Sequence, residues 1–571
     1  RAELIAIPLT LLLLLFVFRG LVAASLPLLV GVIAVLGTLF SLFVIGSVTD
    51  VSIYAINLTT ALGLGLAIDY SLFIVSRFRE ELRAGRTVEH AVVRTVETAG
   101  KTVLISALTV AASLSALLVF PQYFLRSFAY SGVAVVLMAL AGSMLSLTSL
   151  LAVVGHRIDS LRIGRARQVR ADQDGMWHRI ATFVMRRPLP IALGVVAVLV
   201  VLGSPFLRVS FGTPDDRVLP TSATSRQASE VLRADFAGNS AESFGVIADG
   251  VGAADTDRVV DIAATAATLS SMDGVARVDS AAGTFVGGTL AATSDSDARF
   301  IADDATWMSV VPTFAVASSR GEHLVKDIRA LDLPLDIAVE GQAASLVDTK
   351  ASMTERLPLA LAIIVIATFV LLFMLSGSIL VPVKALILNF LSLTATFGAM
   401  VWIFQDGNLA DALGFTATGS IDISMPILMF CIAFGLSMDY EVFLLSRIKE
   451  EHDRTHDNEA SVALGLERTG SIVTAAAALL AITFFAFGTS GVSFIKMFGI
   501  GLGIAVLMDA TVVRALLVPA FMRLAGEANW WAPAPLRRFH DRWGLHEGDA
   551  PEAVAAPDAD DDARELVGST R

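Results

Sequence analysis

The chain has 571 residues, 42 Lys and Arg against 54 Asp and Glu, a formal charge of -12 and 55% hydrophobic residues, with a mean hydropathy of +0.71. This composition places most of it in a bilayer and gives no basic footprint for nucleic acid. One cysteine, Cys431, excludes an intrachain disulfide or Cys-based metal cluster and reads as packing, and the eight His have no ligand spacing.

Apolar runs predict spanning helices at 4–18, 21–45, 53–76, 101–120, 128–154, 188–206, 357–375, 379–404, 422–446, 470–488 and 495–523, eleven in all. The first, behind Arg1 and with neither n-region nor cleavage site, reads as a span rather than a signal peptide. Arg77, Arg79, Arg83, Arg86, Arg94 and Lys101 follow the third run, and Arg157, Arg162, Arg165, Arg167, Arg170, Arg179, Arg186 and Arg187 fill the loop after the fifth. The positive-inside rule puts both at the cytoplasm and the block 207–355 outside.

Within that block, strand-like "SFGVIAD" (243–249), "VARVDS" (275–280), "MSVVPTFAV" (308–316) and "LDIAVEG" (335–341) alternate with helical "DRVVDIAATAATLSSM" (257–272) and "GEHLVKDIRAL" (321–331). The alternation suits a ferredoxin-like α/β porter unit. Its acidic residues Asp255, Asp257, Asp295, Asp297, Asp303 and Asp304 read as a solvated face, and no nucleophile, base and oxyanion set marks an enzyme. The expected organisation is a first bundle (1–155), a cytoplasmic basic loop (156–187), a helix (188–206), an external porter domain (207–355), a second bundle (356–525) and a cytoplasmic, disordered tail (526–571).

A shift of 370 residues lays "LAIDYSLFIVSRFREE" on "LSMDYEVFLLSRIKEE", matching Asp69, Tyr70, Ser76, Arg77, Glu80 and Glu81 to Asp439, Tyr440, Ser446, Arg447, Glu450 and Glu451. Glu97 and Gly100 fall on Glu467 and Gly470, and Leu137 and Met138 on Leu507 and Met508, without a gap. The halves are therefore parallel repeats about an axis along the membrane normal. The second half has one more helix and an external block, so a matched pair of repeats has twelve spans and two external domains, of which this sequence holds eleven and one.

Asp69 lies eight residues, about 12 Å, from Arg77, too deep for its short side chain to reach the headgroups. A carboxylate near mid-bilayer costs about 2.5–3.5 kcal/mol on insertion scales. The twofold brings Asp69-Tyr70 to Asp439-Tyr440, so a Tyr of one half can bond the Asp of the other. Two carboxyl groups this close in a low dielectric resist joint ionisation and can exchange protons. The alternative is a purely structural hydrogen-bonded tie.

These residues resemble the mycobacterial-membrane-protein-large (MMPL) transporters of the resistance-nodulation-division superfamily. That family carries GLxxDYxLFxxSRxREE on its fourth helix, an echo on its tenth, and external domains after its first and seventh. The resemblance implies that Asp69, Tyr70, Asp439 and Tyr440 form a proton relay driving export of lipids or other hydrophobic compounds across a bacterial inner membrane, with no cofactor and with 207–355 in the periplasm. Ser106, in "GKTVLISALTV", matches a serine lining the relay, and its repeat counterpart is Ala476. Asp509 and Arg514, in "LMDATVVRALLVPA", match a charged pair that would support it, while Ala139 and Met144 occupy the first-half positions. For Arg514 the alternative is snorkelling to the interface.

"FPQYFLRSFAY" (120–130) and "FGTPDDRVLP" (211–220) resemble actinobacterial exporters of envelope lipids such as trehalose monomycolate or wax esters. The implied partners are the lipid and the membrane, not nucleic acid; envelope accessory proteins and a monomeric or trimeric state stay open. A non-transporting receptor or scaffold and an intramembrane aspartyl protease are the rival readings, the second disfavoured because the Asp helices are copies of one another. Gly63, Gly65, Gly499, Gly501 and Gly503 read as close helix packing, and with no G-x-x-x-x-G-K-[ST] stretch the expected energy source is the proton gradient rather than ATP. Glu441, in place of Ser71, adds an acid beside the second motif.

Overall fold

The computed structural model describes residues 2–160, 175–235, 243–252 and 258–544. Arg162, Arg165, Arg167, Arg170, Asp255, Asp257 and the tail beyond 544 lie outside the described residues. The first half runs through α1 (Ala2–Phe18), α2 (Leu21–Gly46), α3 (Ala55–Arg83), α4 (Val88–Val119) and α5 (Tyr123–Asp159). An amphipathic α6 (Met176–Arg186) leads into α7 (Pro188–Arg208). The eleven predicted runs coincide with helices to within a few residues at most ends. Ten helices among the described residues are long and apolar enough to cross a membrane, one fewer than the eleven expected; α1, apolar but only 17 residues long, falls short of that length.

After α7 come a two-residue strand β1 (Phe211–Gly212) and α8 (Thr224–Asp235). A six-stranded antiparallel sheet follows, from β2 (Phe244–Asp249), α9 (Val259–Ser270), β3 (Val275–Ser280), β4 (Gly283–Val286), β5 (Thr289–Ala292), β6 (Ala305–Pro312), α10 (Ser319–Arg329) and β7 (Ala338–Glu340). Its order is β5-β4-β3-β6-β2-β7. Without the β4-β5 hairpin this is the split βαβ order of a ferredoxin-like unit, as expected. The hairpin was not expected; its turn is Gly287-Gly288, both at positive φ (55° and 82°), which two-residue hairpins favour. Phe244, Val246, Val278, Met308 and Val310 bury one face against Ile262 and Leu269 of α9 and Leu324 and Ile328 of α10.

The second bundle comprises α11 (Gln342–Ser376), α12 (Leu380–Gln405), the strand β8 (Ile421–Asp422), α13 (Ser424–Thr455), α14 (Asn458–Phe487) and α15 (Ser493–Trp530), before a short amphipathic α16 (Ala534–Trp543). α11 begins about fifteen residues before its apolar run, inside the block read as external, because Gly341 at φ 117° ends β7 and no Gly or Pro intervenes before Pro358. Sheet unit and bundle thus share one continuous helix. A second tie is the parallel pairing of β1 with β8, Phe211 opposite Ile421 and Gly212 opposite Asp422.

Burial ranks the helices by position. The apolar windows of α3 and α13 are 89% and 94% buried, that of α7 only 11%. The two motif helices therefore occupy the centre, while exposed Val198, Val200 and Val201 of α7 suit contact with lipid.

Candidate functional site

Phe73 of α3 and Phe443 of α13 are repeat counterparts, and their rings stack with centroids 3.5 Å apart and planes 8° from parallel. A residue meets its own counterpart only on the symmetry axis, so the pseudo-twofold passes between these rings. The crossings around it are paired. Gly65 of α3 packs on Leu480 of α14, and its counterpart Gly435 of α13 packs on Val110 of α4, the counterpart of Leu480. A Cβ added at Gly435 would lie 3.3 Å from the Val110 Cα. Small residues at these two places let the halves close tightly.

One turn from the stacked rings lie Asp69 and Asp439, and one turn the other way lie Arg77 and Arg447. Asp69, Tyr70, Asp439 and Tyr440 are all at most 1% exposed. Tyr440 donates to Asp69 Oδ2 at 2.7 Å, a bond between halves as the twofold predicts. Among the described residues the mirror-image bond from Tyr70 to Asp439 is not made; Ser106 of α4 donates to Asp439 Oδ1 instead. Because the repeat counterpart of Ser106 is Ala476, the hydrogen bonding of the two acids is asymmetric at this point. One oxygen of each acid, Asp69 Oδ1 and Asp439 Oδ2, keeps no hydrogen-bond partner among the described residues.

The asymmetry grows on the second-half side. Arg514, 3% exposed, binds Asp509 Oδ2 at 2.9 Å and sets its guanidinium 5.1 Å over the Tyr440 ring. Ser437 donates to Asp509 Oδ1 at 2.7 Å. Arg514 therefore does not reach for the interface. The pairing depends on helix winding: residues 509–517 form a π-helical segment. In an α-helix, residues five apart point about 140° away from each other, whereas π winding nearly superposes them.

Sequence reasoning missed Lys384 and left Glu441 without a role. Both are buried, 6% and 5% exposed, and form an ion pair at 3.5 Å between α12 and α13. The available signal was a lone lysine inside the run 379–404, since an ionisable residue within a span requires a partner. At the basic end, Arg447 meets Glu450 at 2.7 Å and Glu80 of the other half at 3.2 Å, while Arg77 meets Glu80 at 3.3 Å and Glu450 at 3.9 Å. These reciprocal pairs lace the halves together below the stacked rings.

Toward the sheet-bearing end a cavity of about 290 Å³ opens between α7, α11, α12, α13 and the residue that follows α4, Phe120. Its wall is almost wholly apolar, including Phe120, Leu361, Phe397, Phe430 and Cys431. Cys431 is on α13 two turns from Asp439, and its carbonyl accepts from Ser113 of α4 at 2.6 Å. Gly499 also packs closely, on the Phe484 carbonyl. Among the described residues no group of His, Cys, Asp and Glu has the arrangement of a metal site.

Comparison with known proteins gives these features a lineage. A membrane protein of Streptomyces coelicolor is 41% identical over 560 residues, 98% of this chain and 74% of that one. The trehalose monomycolate exporter MmpL3 of Mycolicibacterium smegmatis is 33% identical over 613 residues, covering the whole chain and 58% of the exporter. MmpL11 of the same organism, a mycolic acid-containing lipids exporter, is 30% identical over 92% of this chain and 54% of its own length. The chain thus spans little more than half the length of these two exporters. In fold it is similar to SecDF, a translocon-associated membrane protein from a Thermus species, with a TM-score of 0.52 at 15% identity over 91% of this chain and 62% of that one. The MMPL family pattern matches residues 1–191 and 217–554, and with the duplicated, buried motif helices this makes the chain a multi-pass inner-membrane protein belonging to the MMPL family of the resistance-nodulation-division superfamily.

Proposed function

We propose that the chain is the relay-bearing part of a proton-driven exporter of cell-envelope lipids. Protons pass through Asp69, Tyr70, Ser106, Asp439 and Tyr440, with Asp509 and Arg514 in support, and lipid passes by way of the apolar cavity and the sheet unit on the periplasmic side. The observation that carries the reading is the seam: two fully buried carboxyl groups at one depth, each held from the opposite half and each with one oxygen that has no hydrogen-bond partner among the described residues. Burying two such acids is costly, and a purely structural tie needs neither to titrate. The substrate class is supported by relatives named as lipid exporters and by the apolar cavity.

Coupling follows from α13, a single rigid helix that lines the cavity at Ile427 and Cys431 and the relay at Asp439. A proton entering down the gradient yields about 2.3 kcal/mol per 100 mV plus about 1.4 kcal/mol per pH unit. That biases two packings of the bundle if protonation of Asp69 or Asp439 costs more in one than in the other. The test is lipid transport into the lumen of inverted vesicles carrying the full-length protein, with ATP held constant. A protonophore should reduce transport to background, and Asp439→Asn, near-isosteric but unable to titrate, should do the same while expression and thermal stability hold. Undiminished transport in either arm sinks the relay.

A further inference from the structure

The central part of the seam buries four acids, Asp69, Asp439, Glu441 and Asp509, but among the described residues only two cations, Lys384 and Arg514. Two further buried cations lie away from the seam's centre: Arg226, paired with Glu230, and Lys496 at the sheet-bearing end, where it donates to the carbonyls of Leu413 and Gly414. The pairing is selective. Arg514 is at 2.9 Å from Asp509 and Lys384 at 3.5 Å from Glu441, while among the described residues neither Asp69 nor Asp439 has a cation within ion-pair distance. Around Glu441 the charged groups are Lys384 from α12, Asp439 on its own helix, about 3 Å away along the axis, and Asp509 with Arg514 from α15. The first half has Ser71 in place of Glu441, and Ser71 is satisfied by the Ala67 carbonyl of its own helix at 2.5 Å.

A buried acid without a cation avoids the desolvation of its charge by holding a proton, and one with a cation beside it can stay ionised. We propose that Lys384 confines the exchangeable protons of the seam to Asp69 and Asp439: it holds Glu441 as a paired anion, as Arg514 holds Asp509, and so limits the seam to two protons per cycle. This rests on the relay reading above and adds a positioning residue that the repeated motif does not contain. Lys384 transfers no proton itself. It keeps a third acid, two residues from Asp439, from drawing protons away from the relay.

The test is infrared difference spectroscopy of the full-length protein in membranes at neutral pH, where a protonated carboxyl and an ionised carboxylate absorb separately. Parent minus Glu441→Gln should show the loss of an ionised carboxylate only. Lys384→Met minus Lys384→Met/Glu441→Gln should show the loss of a protonated carboxyl, and Lys384→Arg should behave as the parent. A protonated Glu441 in the parent, or an ionised one in Lys384→Met, overturns the proposal. If Lys384→Met fails to fold, the first difference decides alone. Unimpaired transport by Asp439→Asn alongside the expected spectra would fault the relay and leave the pairing of Glu441 standing.

Discussion

Tyr440→Phe and Ser106→Ala each delete one hydroxyl from the seam, and each leaves a buried acid without its donor. An unsatisfied buried group costs about 1–3 kcal/mol, so both variants should unfold at lower temperature than the parent in a thermal melt. Their effects on transport should differ in kind from Asp439→Asn: both keep two titratable acids, so transport should persist with its pH profile displaced rather than vanish. A flat loss at every pH would argue that the hydroxyls only hold the helices. Arg514→Lys keeps the charge but not the planar guanidinium over Tyr440, and should impair transport nearly as much as Arg514→Met. What was legible at this scale from the residues themselves was whatever occurs twice, while Ser106, Asp509 and Arg514, which occur once, came only from the family resemblance. Asp69 and Asp439 stand out because a costly residue recurs at one offset, whereas Lys384 and Ser437 occur once and find their partners only through helix packing.

Among the elements, the π segment of α15 carries a prediction of its own. Deleting Leu516, outside the interval between Asp509 and Arg514, relaxes residues 509–517 toward α winding and, with the pair still five apart, turns Arg514 away from Asp509. The variant should insert and express, yet lose transport, and restoring the length with alanine at the same place should recover most of it. Recovery by alanine inserted after Val518, outside the segment, would show that helix length rather than winding matters. Such a segment is invisible to hydropathy, since π and α turns bury similar apolar stripes. Spans were readable because a bilayer demands about twenty apolar residues in a row. The β4-β5 hairpin was passed over because its strands are short and β5 is exposed throughout, which removes the alternation that marks a strand.

For the whole molecule, the cavity and the proposed relay should be separable by mutation although one helix joins them. Ala360→Trp, projecting into the cavity wall, should block lipid transport while leaving the infrared signature of the seam carboxyls unchanged. A change in that signature would mean that the cavity and the acids do not act as distinct sites. The reciprocal pairs at the basic end can be probed by exchanging charges: Arg447→Glu and Glu80→Arg should each destabilise, by about 0.2–1 kcal/mol for such partly exposed groups, and the double exchange should restore part of the loss in a thermal melt.

The Phe73–Phe443 stack has a consequence for ancestry. When two identical surfaces associate through a twofold, the residue on the axis must touch its own copy, and every other contact must occur twice. The seam obeys both conditions at the stacked rings, at the Gly65 and Gly435 crossings and at the Arg–Glu lacing. It has the geometry of an isologous homodimer interface, as if two subunits were fused into one polypeptide. Such fusion releases the two copies from identity: a true dimer carrying Glu441, Lys384, Asp509 and Arg514 would have to hold each of them in duplicate around one narrow axis, whereas the single chain keeps them on one side and fills the other with Ser71, Ala139 and Met144.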